Sequence, residues 1–314
     1  MSWIHIVILA IVQGLTELLP VSSSAHVIVT AELMHENMST PDNALLLVLL
    51  HTGTMFAVIA YFWRQWVEEF LSSWAKFWSF FKLVFVASLL SGLVALPAIW
   101  LVDRILSHGG HHAQIEALFH KLNWIAPALA VAGILILWAG LREARRPDSH
   151  APALGSGHAS VHVTGDNAAQ SAPAAVREPE VGWRQVSLMG ILQGFAIPFR
   201  GFSRSGVTIS GGLLAGGKRS KVESFSFAMV VAITPLAIAR ELWRVHKAAH
   251  AAALPVHWAA VLRPGMLGMV CAFFAGLLAL KWLSSWLESG RWYWFGVYCL
   301  AAAAVTQWLY WRGW

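Results

Sequence analysis

The sequence predicts an all-α polytopic membrane protein, built as an inverted repeat of six transmembrane helices plus two re-entrant helical hairpins. Three observations carry the prediction. Of 314 residues, 57% are apolar and only 12% charged, where an ordinary globular chain has roughly 25% charged. The apolar residues gather in runs long enough to span a bilayer. Two further runs are interrupted near their middles by polar residues, at matching places in the two halves of the chain.

A crossing needs about 20 predominantly apolar residues. Six stretches qualify: 44–63, 83–102, 124–141, 225–243, 267–283 and 293–309. Many of the 18 Trp lie at the ends of such runs, among them Trp63, Trp66, Trp100, Trp124, Trp138, Trp183, Trp243 and Trp282, where an amphipathic ring suits the headgroup layer. Cys271 and Cys299 sit inside apolar runs and read as packed thiols. No Lys or Arg precedes the first apolar run, so the amino terminus reads as retained and not as a cleaved signal. The net charge of +6 comes from Lys and Arg scattered through short loops, which argues for membrane topology and against nucleic-acid binding.

The interrupted runs are 4–33, broken by Glu17, Pro20 and Ser22 to Ser24, and 186–214, broken by Pro198, Arg200, Ser203, Arg204 and Ser205. Neither half of either run spans alone. Irregular backbone at membrane depth survives only when buried in protein or lining a wet cavity, so both read as re-entrant hairpins. A shift of 180 residues matches Ile11 with Ile191, Gln13 with Gln193, Gly14 with Gly194, Ser23 with Ser203 and Val27 with Val207. Three full crossings separate the two hairpins, so the second enters from the opposite face and the repeat is inverted. Residues 1–142 then form the first repeat and 183–314 the second. Residues 143–182 lack aromatics, are rich in Ala, Pro, Ser and Gly, and read as a disordered polar loop. With Arg200 and Arg204 of the second break set aside, the face carrying that loop holds 13 Lys or Arg against 7 on the other. The positive-inside rule puts both termini and the first hairpin's mouth outside the cytoplasm.

The two breaks carry the chemistry. Gln13 and Glu17 are four apart and share a helix face. Ser22, Ser23 and His26 fall at i,i+4 and i,i+3 spacing if a second helix starts near Ser22, which brings hydroxyl and imidazole together. A carboxylate in apolar surroundings needs a partner or a cation. In the second break, Gly201, Ser203, Arg204, Ser205, Gly206 and Thr208 precede an apolar helix and leave free amide donors at its start, an anion site to which Arg204 adds a guanidinium fork. Folded together, the two breaks form one pocket suited to phosphate or diphosphate, with Glu17 able to hold a divalent metal. The competing readings are helix caps at the serines, a locally bonded His26 and a snorkelling Arg204. A pocket of this kind in the bilayer implies a substrate that is itself part lipid.

The strings Gln13-Gly-Leu-Thr-Glu17-Leu-Leu-Pro-Val-Ser-Ser-Ser-Ala-His26 and Gly201-Phe-Ser-Arg-Ser-Gly-Val-Thr-Ile-Ser-Gly-Gly212 resemble the two signatures of the undecaprenyl-diphosphate phosphatases, the bacitracin-resistance proteins of bacterial membranes. The resemblance continues through His51-Thr-Gly-Thr54 and Glu223-Ser-Phe-Ser-Phe227. It implies hydrolysis of undecaprenyl diphosphate to undecaprenyl phosphate and inorganic phosphate, recycling the lipid carrier of peptidoglycan synthesis in the inner membrane, with Mg2+ or Ca2+ as cofactor; the positive-inside bias opens the site to the periplasmic side. It implies metal and acid–base roles for Gln13 and Glu17, catalytic roles for Ser22, Ser23, His26 and Arg204, and phosphate binding by Ser203, Arg204 and Thr208, with the neighbouring Gly201, Ser205 and Gly206 lining the substrate site. The nucleophile is left open between Ser23, His26 and water, and a homo-oligomer is left open too. Where the family usually has Pro-Gly before Ser-Arg-Ser, this chain has Arg200-Gly201. His108, His111, His112, His120, His150, His158 and His162 have no counterpart in the likeness and read as solvated loop residues. An inverted-repeat transporter or flippase for a phosphorylated lipid is the alternative from a different class. The other membrane phosphatase superfamily is disfavoured by the lack of an upstream Lys-x6-Arg-Pro string.

Overall fold

The computed structural model describes residues 1–36, 41–106, 122–145, 181–199, 201–251 and 258–312. Among these residues the chain is all helical. The first half contributes α1 (Trp3–Leu18), α2 (Ser23–Leu33), α3 (Pro41–Glu69), α4 (Trp74–Leu106) and α5 (Leu122–Ala144). The second contributes α6 (Trp183–Ala196), α7 (Arg204–Leu214), α8 (Arg219–Ala251), α9 (Trp258–Glu288) and α10 (Tyr293–Trp311).

Among the described residues, five helices are long and apolar enough to cross a membrane, over Leu45–Glu69, Trp74–Val102, Trp124–Ala144, Arg219–Arg240 and Leu262–Glu288. They coincide with five of the six expected crossings. The sixth, 293–309, is helical as α10 but is not among the five. Its bulk sits in Tyr and Trp rings (Tyr293, Trp294, Tyr298, Trp308, Tyr310, Trp311) and less in aliphatic side chains, and such rings favour the interface over the hydrocarbon.

Both interruptions have local causes. Pro20 has no N–H to continue the ladder, and its ring forces the preceding residue out of the helical region. Leu19 is accordingly extended, at φ −71° and ψ 148°, and α1 stops at Leu18. At the second break α6 ends at Ala196, two residues before Pro198. Gly201 follows at φ 98°, a left-handed value that glycine adopts without steric cost. The helices beyond, α2 and α7, have 11 residues each. The residue before each is a serine in the left-handed region, Ser22 at φ 67° and Ser203 at φ 46°. The structure therefore pairs Ser22 with Ser203. The sequence register pairs Ser23 with Ser203 and Val27 with Val207, and it holds only as far as Gly14 and Gly194. The second break is longer than the first, 197–203 against 19–22, and the register changes inside it.

The halves interlock. α1 packs on α9, and α6 packs on α4, so each interrupted helix leans on a long helix of the other half. Glycine makes both contacts possible. A Cβ at Gly14 would lie 2.6 Å from Ala275 Cβ and 2.7 Å from the Ala272 carbonyl oxygen, and one at Gly194 would lie 2.6 Å from Val94 Cβ and 2.7 Å from the Ser91 carbonyl oxygen. α3 also packs on α9, and α5 on α10 and α7. The core running through both halves includes Leu18, Ile136, Ile209, Phe225, Phe227 and Trp292. The Trp292 indole donates to Ser210 Oγ (3.0 Å), and the Trp66 indole to Ser224 Oγ (2.8 Å).

The first residues of the polar loop expected over 143–182 are helical, at the end of α5. Glu143 is buried within α5 and accepts from Arg219 Nε at 3.0 Å, because the helix continues long enough for that ion pair to form. Residues 146–180, Arg200 and the histidines at 108, 111, 112, 120, 150, 158 and 162 lie outside the described residues. Cys271 and Cys299 are free thiols.

Candidate active site

The two breaks touch. Glu17, on the last turn of α1, accepts from Arg204 Nη2 at Oε1 (2.8 Å), joining the start of α7 to the end of α1. Its other oxygen, Oε2, accepts from Gln13 Nε2 at 3.0 Å and Ser23 Oγ at 2.5 Å. His51 Nε2 lies 3.6 Å from that same oxygen. The carboxylate is thus the hub of the site, and its side chain is only 11% exposed. Burying an ion costs free energy unless it is paired and hydrogen-bonded; Glu17 is both.

Backbone contacts tighten the junction. Ser205 Oγ donates to the Leu19 carbonyl (3.4 Å), and Cys299 Sγ to the Pro20 carbonyl (3.1 Å). These two bonds satisfy carbonyls that the proline break leaves outside the helix. A Cβ at Gly206 would lie 2.6 Å from Ile136 Cδ1, 2.9 Å from Ser203 Oγ and 3.0 Å from Pro20 Cβ. Only a hydrogen at that position lets the second break come this close to the first. Gly201 is held as tightly, against the Ile125 carbonyl oxygen at 2.7 Å from the same kind of built Cβ.

At the start of α7, Ser203 Oγ is buried and has no hydrogen-bond partner among the described residues. A buried hydroxyl without a partner is costly, and this one stands beside the free N–H groups of a helix start and the Arg204 fork. A bound anion would satisfy it. Thr208 is different. Its hydroxyl donates to the Arg204 carbonyl (2.8 Å) and meets Ser226 Oγ at 2.6 Å, which fastens α7 to α8.

His26 does not meet either serine hydroxyl in the manner its spacing implies. Its Nδ1 lies 2.8 Å from the Ser22 carbonyl oxygen. A carbonyl only accepts, so Nδ1 carries the proton and Nε2 of the neutral ring is an acceptor. That acceptor is taken by the Tyr298 hydroxyl, at 2.6 Å. Ser23 turns instead to Glu17, and Ser22 Oγ faces Ser24 Oγ at 3.4 Å. The reason is geometric: the helical i,i+4 relation offers His26 the backbone carbonyl of Ser22, a stronger acceptor than a hydroxyl that is free to rotate elsewhere.

Two residues at the site escaped the sequence reading. His51 sits inside α3 with Nδ1 bonded to the Leu47 carbonyl (2.8 Å), which leaves Nε2 to face Glu17. The string 51–54 was the signal, since Gly53 brings α3 so near the Met269 backbone of α9 that no Cβ would fit. Tyr298 gave no signal, being one aromatic among many on α10.

Among the described residues no three His, Cys, Asp or Glu gather as a metal site. Mg2+ and Ca2+ take oxygen ligands, and Mg2+ is commonly held by one or two carboxylates plus substrate phosphates. Glu17, with Gln13 beside it, fits that shared mode. It does not make a cage by itself.

A chain of helices long enough to span a bilayer, with a carboxylate, a guanidinium and an unsatisfied hydroxyl joined between two interrupted helices, belongs to the class of membrane proteins that handle phosphorylated groups. The family follows from comparison: the pattern of the bacitracin resistance protein BacA matches residues 6–305, and the chain belongs to that family. It is similar to Undecaprenyl-diphosphatase 2 of Acinetobacter baylyi, with 42% identity over 98% of this chain and 97% of that protein. It is also similar to Undecaprenyl-diphosphatase of Desulfatibacillum aliphaticivorans (32%, 98% of both) and Undecaprenyl-diphosphatase 2 of Burkholderia thailandensis (31%, 96% of this chain and 95% of that protein).

Proposed function

We propose that this chain hydrolyses undecaprenyl diphosphate to undecaprenyl phosphate and inorganic phosphate, and so confers bacitracin resistance. The observation that carries the reading is the Glu17–Arg204 pair with the unsatisfied Ser203 hydroxyl beside it, in a chain whose full-length relatives bear that enzyme's name.

The residues divide the work. The diphosphate is drawn to the α7 start, where helix N–H groups, Ser203 Oγ and the Arg204 fork accept its charge. Phosphate oxygens compete with Glu17 for Arg204, so binding frees part of the carboxylate. Glu17 holds the Ser23 hydroxyl through Oε2. Ser23 Oγ attacks the terminal phosphorus as its proton passes to Glu17, undecaprenyl phosphate leaves, and a phosphoserine remains. Water then attacks that phosphorus while His26 Nε2, released from the Tyr298 hydroxyl, takes its proton; the bond from phosphorus to Ser23 Oγ breaks, Glu17 returns its proton to Ser23 Oγ, and inorganic phosphate leaves. Glu17 and Gln13 would hold a divalent cation, which would supply charge neutralisation at the phosphates.

We place the chain in the bacterial plasma membrane as an inverted repeat, with α1–α2 and α6–α7 as re-entrant hairpins, α10 as the sixth crossing and the site open to the periplasm. In support, α2 and α7 at 11 residues each reach only about 17 Å at 1.5 Å per residue, short of the roughly 30 Å hydrocarbon layer. At 19 residues, α10 is about 28 Å long, close to that thickness. The basic bias of the opposite face sets the direction.

The test is phosphate release from undecaprenyl diphosphate by the purified protein, with Mg2+ or Ca2+ supplied. Wild type releases phosphate, and Glu17→Ala and Arg204→Ala do not. A silent wild type overturns the proposal.

A further inference from the structure

We infer that Tyr298 is a positioning residue for His26, holding the imidazole in one tautomer and orientation from the far end of the chain. The contact has two components. Tyr298 Oη stands 2.6 Å from His26 Nε2. The two rings are stacked, with centroids 5.8 Å apart and planes 17° from parallel. The residues are 272 positions apart and come from different halves of the molecule, so nothing in local helix geometry forces the meeting.

The tautomer follows from the other nitrogen. Nδ1 faces the Ser22 carbonyl at 2.8 Å and must be the protonated one, so the Tyr298 hydroxyl donates to the lone pair of Nε2. That lone pair is the basic position of the ring. Tyr298 therefore does three things at once. It fixes the ring plane, it pins the Nδ1–H form, and its hydroxyl occupies the Nε2 lone pair. Nε2 takes a proton only once the Tyr298 hydroxyl has swung off that lone pair, and Nε2–H then donates back to Oη. The same partner thus serves both protonation states. Tyr298 is itself held in place from the next residue, because Cys299 Sγ donates to the Pro20 carbonyl at the first break. The α10 helix is tied to α5 as well, through Gly296, whose built Cβ would lie 2.5 Å from the Leu137 amide nitrogen.

The inference extends the phosphatase reading for its kinetic consequences, and the test separates the two. Tyr298→Phe keeps the stacked ring and deletes only the hydroxyl. In the phosphate-release assay its kcat falls about 10- to 100-fold, a share of the 10²–10⁴ that a positioned base supplies, with KM within about twofold of wild type. In a His26→Ala background the same substitution has no further effect, as expected of two residues acting as one unit. Additive losses in that double variant, or an undiminished kcat in Tyr298→Phe, overturn the inference. A second measurement is independent of activity: diethyl pyrocarbonate acylates unprotonated imidazole nitrogen, and mass spectrometry follows the rate at His26. Tyr298→Phe accelerates modification of His26 severalfold over wild type at fixed pH. An unchanged rate overturns the contact whether or not the lipid is hydrolysed, while a raised rate in a protein that releases no phosphate overturns the phosphatase reading alone.

Discussion

The break after α1 and the break after α6 share a backbone design and differ in what they carry. Each follows a helix with a Gln-Gly pair, Gln13-Gly14 and Gln193-Gly194, buried against a long helix of the other half. Each ends in a left-handed serine and an 11-residue helix. Then they part. Where the first has Ser23 at the opening of its second helix the other has Arg204, and where the first has His26 the other has Val207. Gln13 donates to Glu17, while Gln193 donates to Ser91 Oγ, 3.1 Å away. One break supplies the acid, the hydroxyl and the imidazole; the other supplies the positive charge. The two breaks share their bends and divide the polar groups between them, so the site is complete only where they meet.

The sharpest way to break that comparison is to remove the meeting point. Glu17→Ala and Arg204→Ala each reduce phosphate release by about 10³-fold or more, and the double variant is scarcely worse than either, because both act through one ion pair and one bound phosphate. Loss of one partner also leaves a largely buried charge uncompensated, worth about 3 kcal/mol of stability, which a thermal melt in detergent would register as a lowered Tm.

The next largest effect compares the hydroxyls. Ser23→Ala lowers kcat by about 10²- to 10³-fold, since Ser23 is bonded to Glu17. Ser203→Ala acts on substrate affinity, raising KM about tenfold with a smaller change in kcat, because the hydroxyl it removes has no partner among the described residues. Steady-state kinetics on both variants decide whether the serines differ as stated. Equal effects on kcat would erase the division of labour.

Below these come the buttresses. Gly14→Ala and Gly194→Ala each force a methyl against a backbone carbonyl at about the same spacing, and each costs about 1–3 kcal/mol. Matched losses of Tm would mark the two contacts as equivalent. Smallest is Thr208→Val. Its hydroxyl is spent on the Arg204 carbonyl and Ser226, so the variant loses about 1 kcal/mol of stability and less activity than Ser203→Ala in the same assay.

Much of this was readable in the residues, for physical reasons that can be named. Length and hydropathy locate five spans because a bilayer of fixed thickness imposes its measure on the chain. Pro20, Pro198 and the adjoining polar residues locate the breaks because proline acts on the backbone directly. That Glu17 needs a partner or a cation followed from the cost of a lone charge in an apolar setting, whereas the choice of Arg204 as that partner is visible only in the structure. What stayed hidden depends on side-chain direction. Ser23 at i−3 from His26 is compatible with a hydroxyl–imidazole bond, yet the ring took the Ser22 carbonyl and the hydroxyl took Glu17. Tyr298 could not be singled out among the aromatic residues of α10, since its role comes from a contact across 272 residues. The one-residue change of register between the breaks was equally invisible, because Ser22, Ser23 and Ser24 are three identical letters and only the left-handed φ of Ser22 distinguishes them.

The crosswise docking of α1 on α9 and α6 on α4 has a consequence in time. During synthesis the ribosome delivers Glu17 long before Arg204 exists, and the surface that Gly14 fits against is not made until Ala272 and Ala275 have followed. Maturation of the catalytic centre is therefore among the last events of assembly, and a truncated or stalled chain is inert by construction.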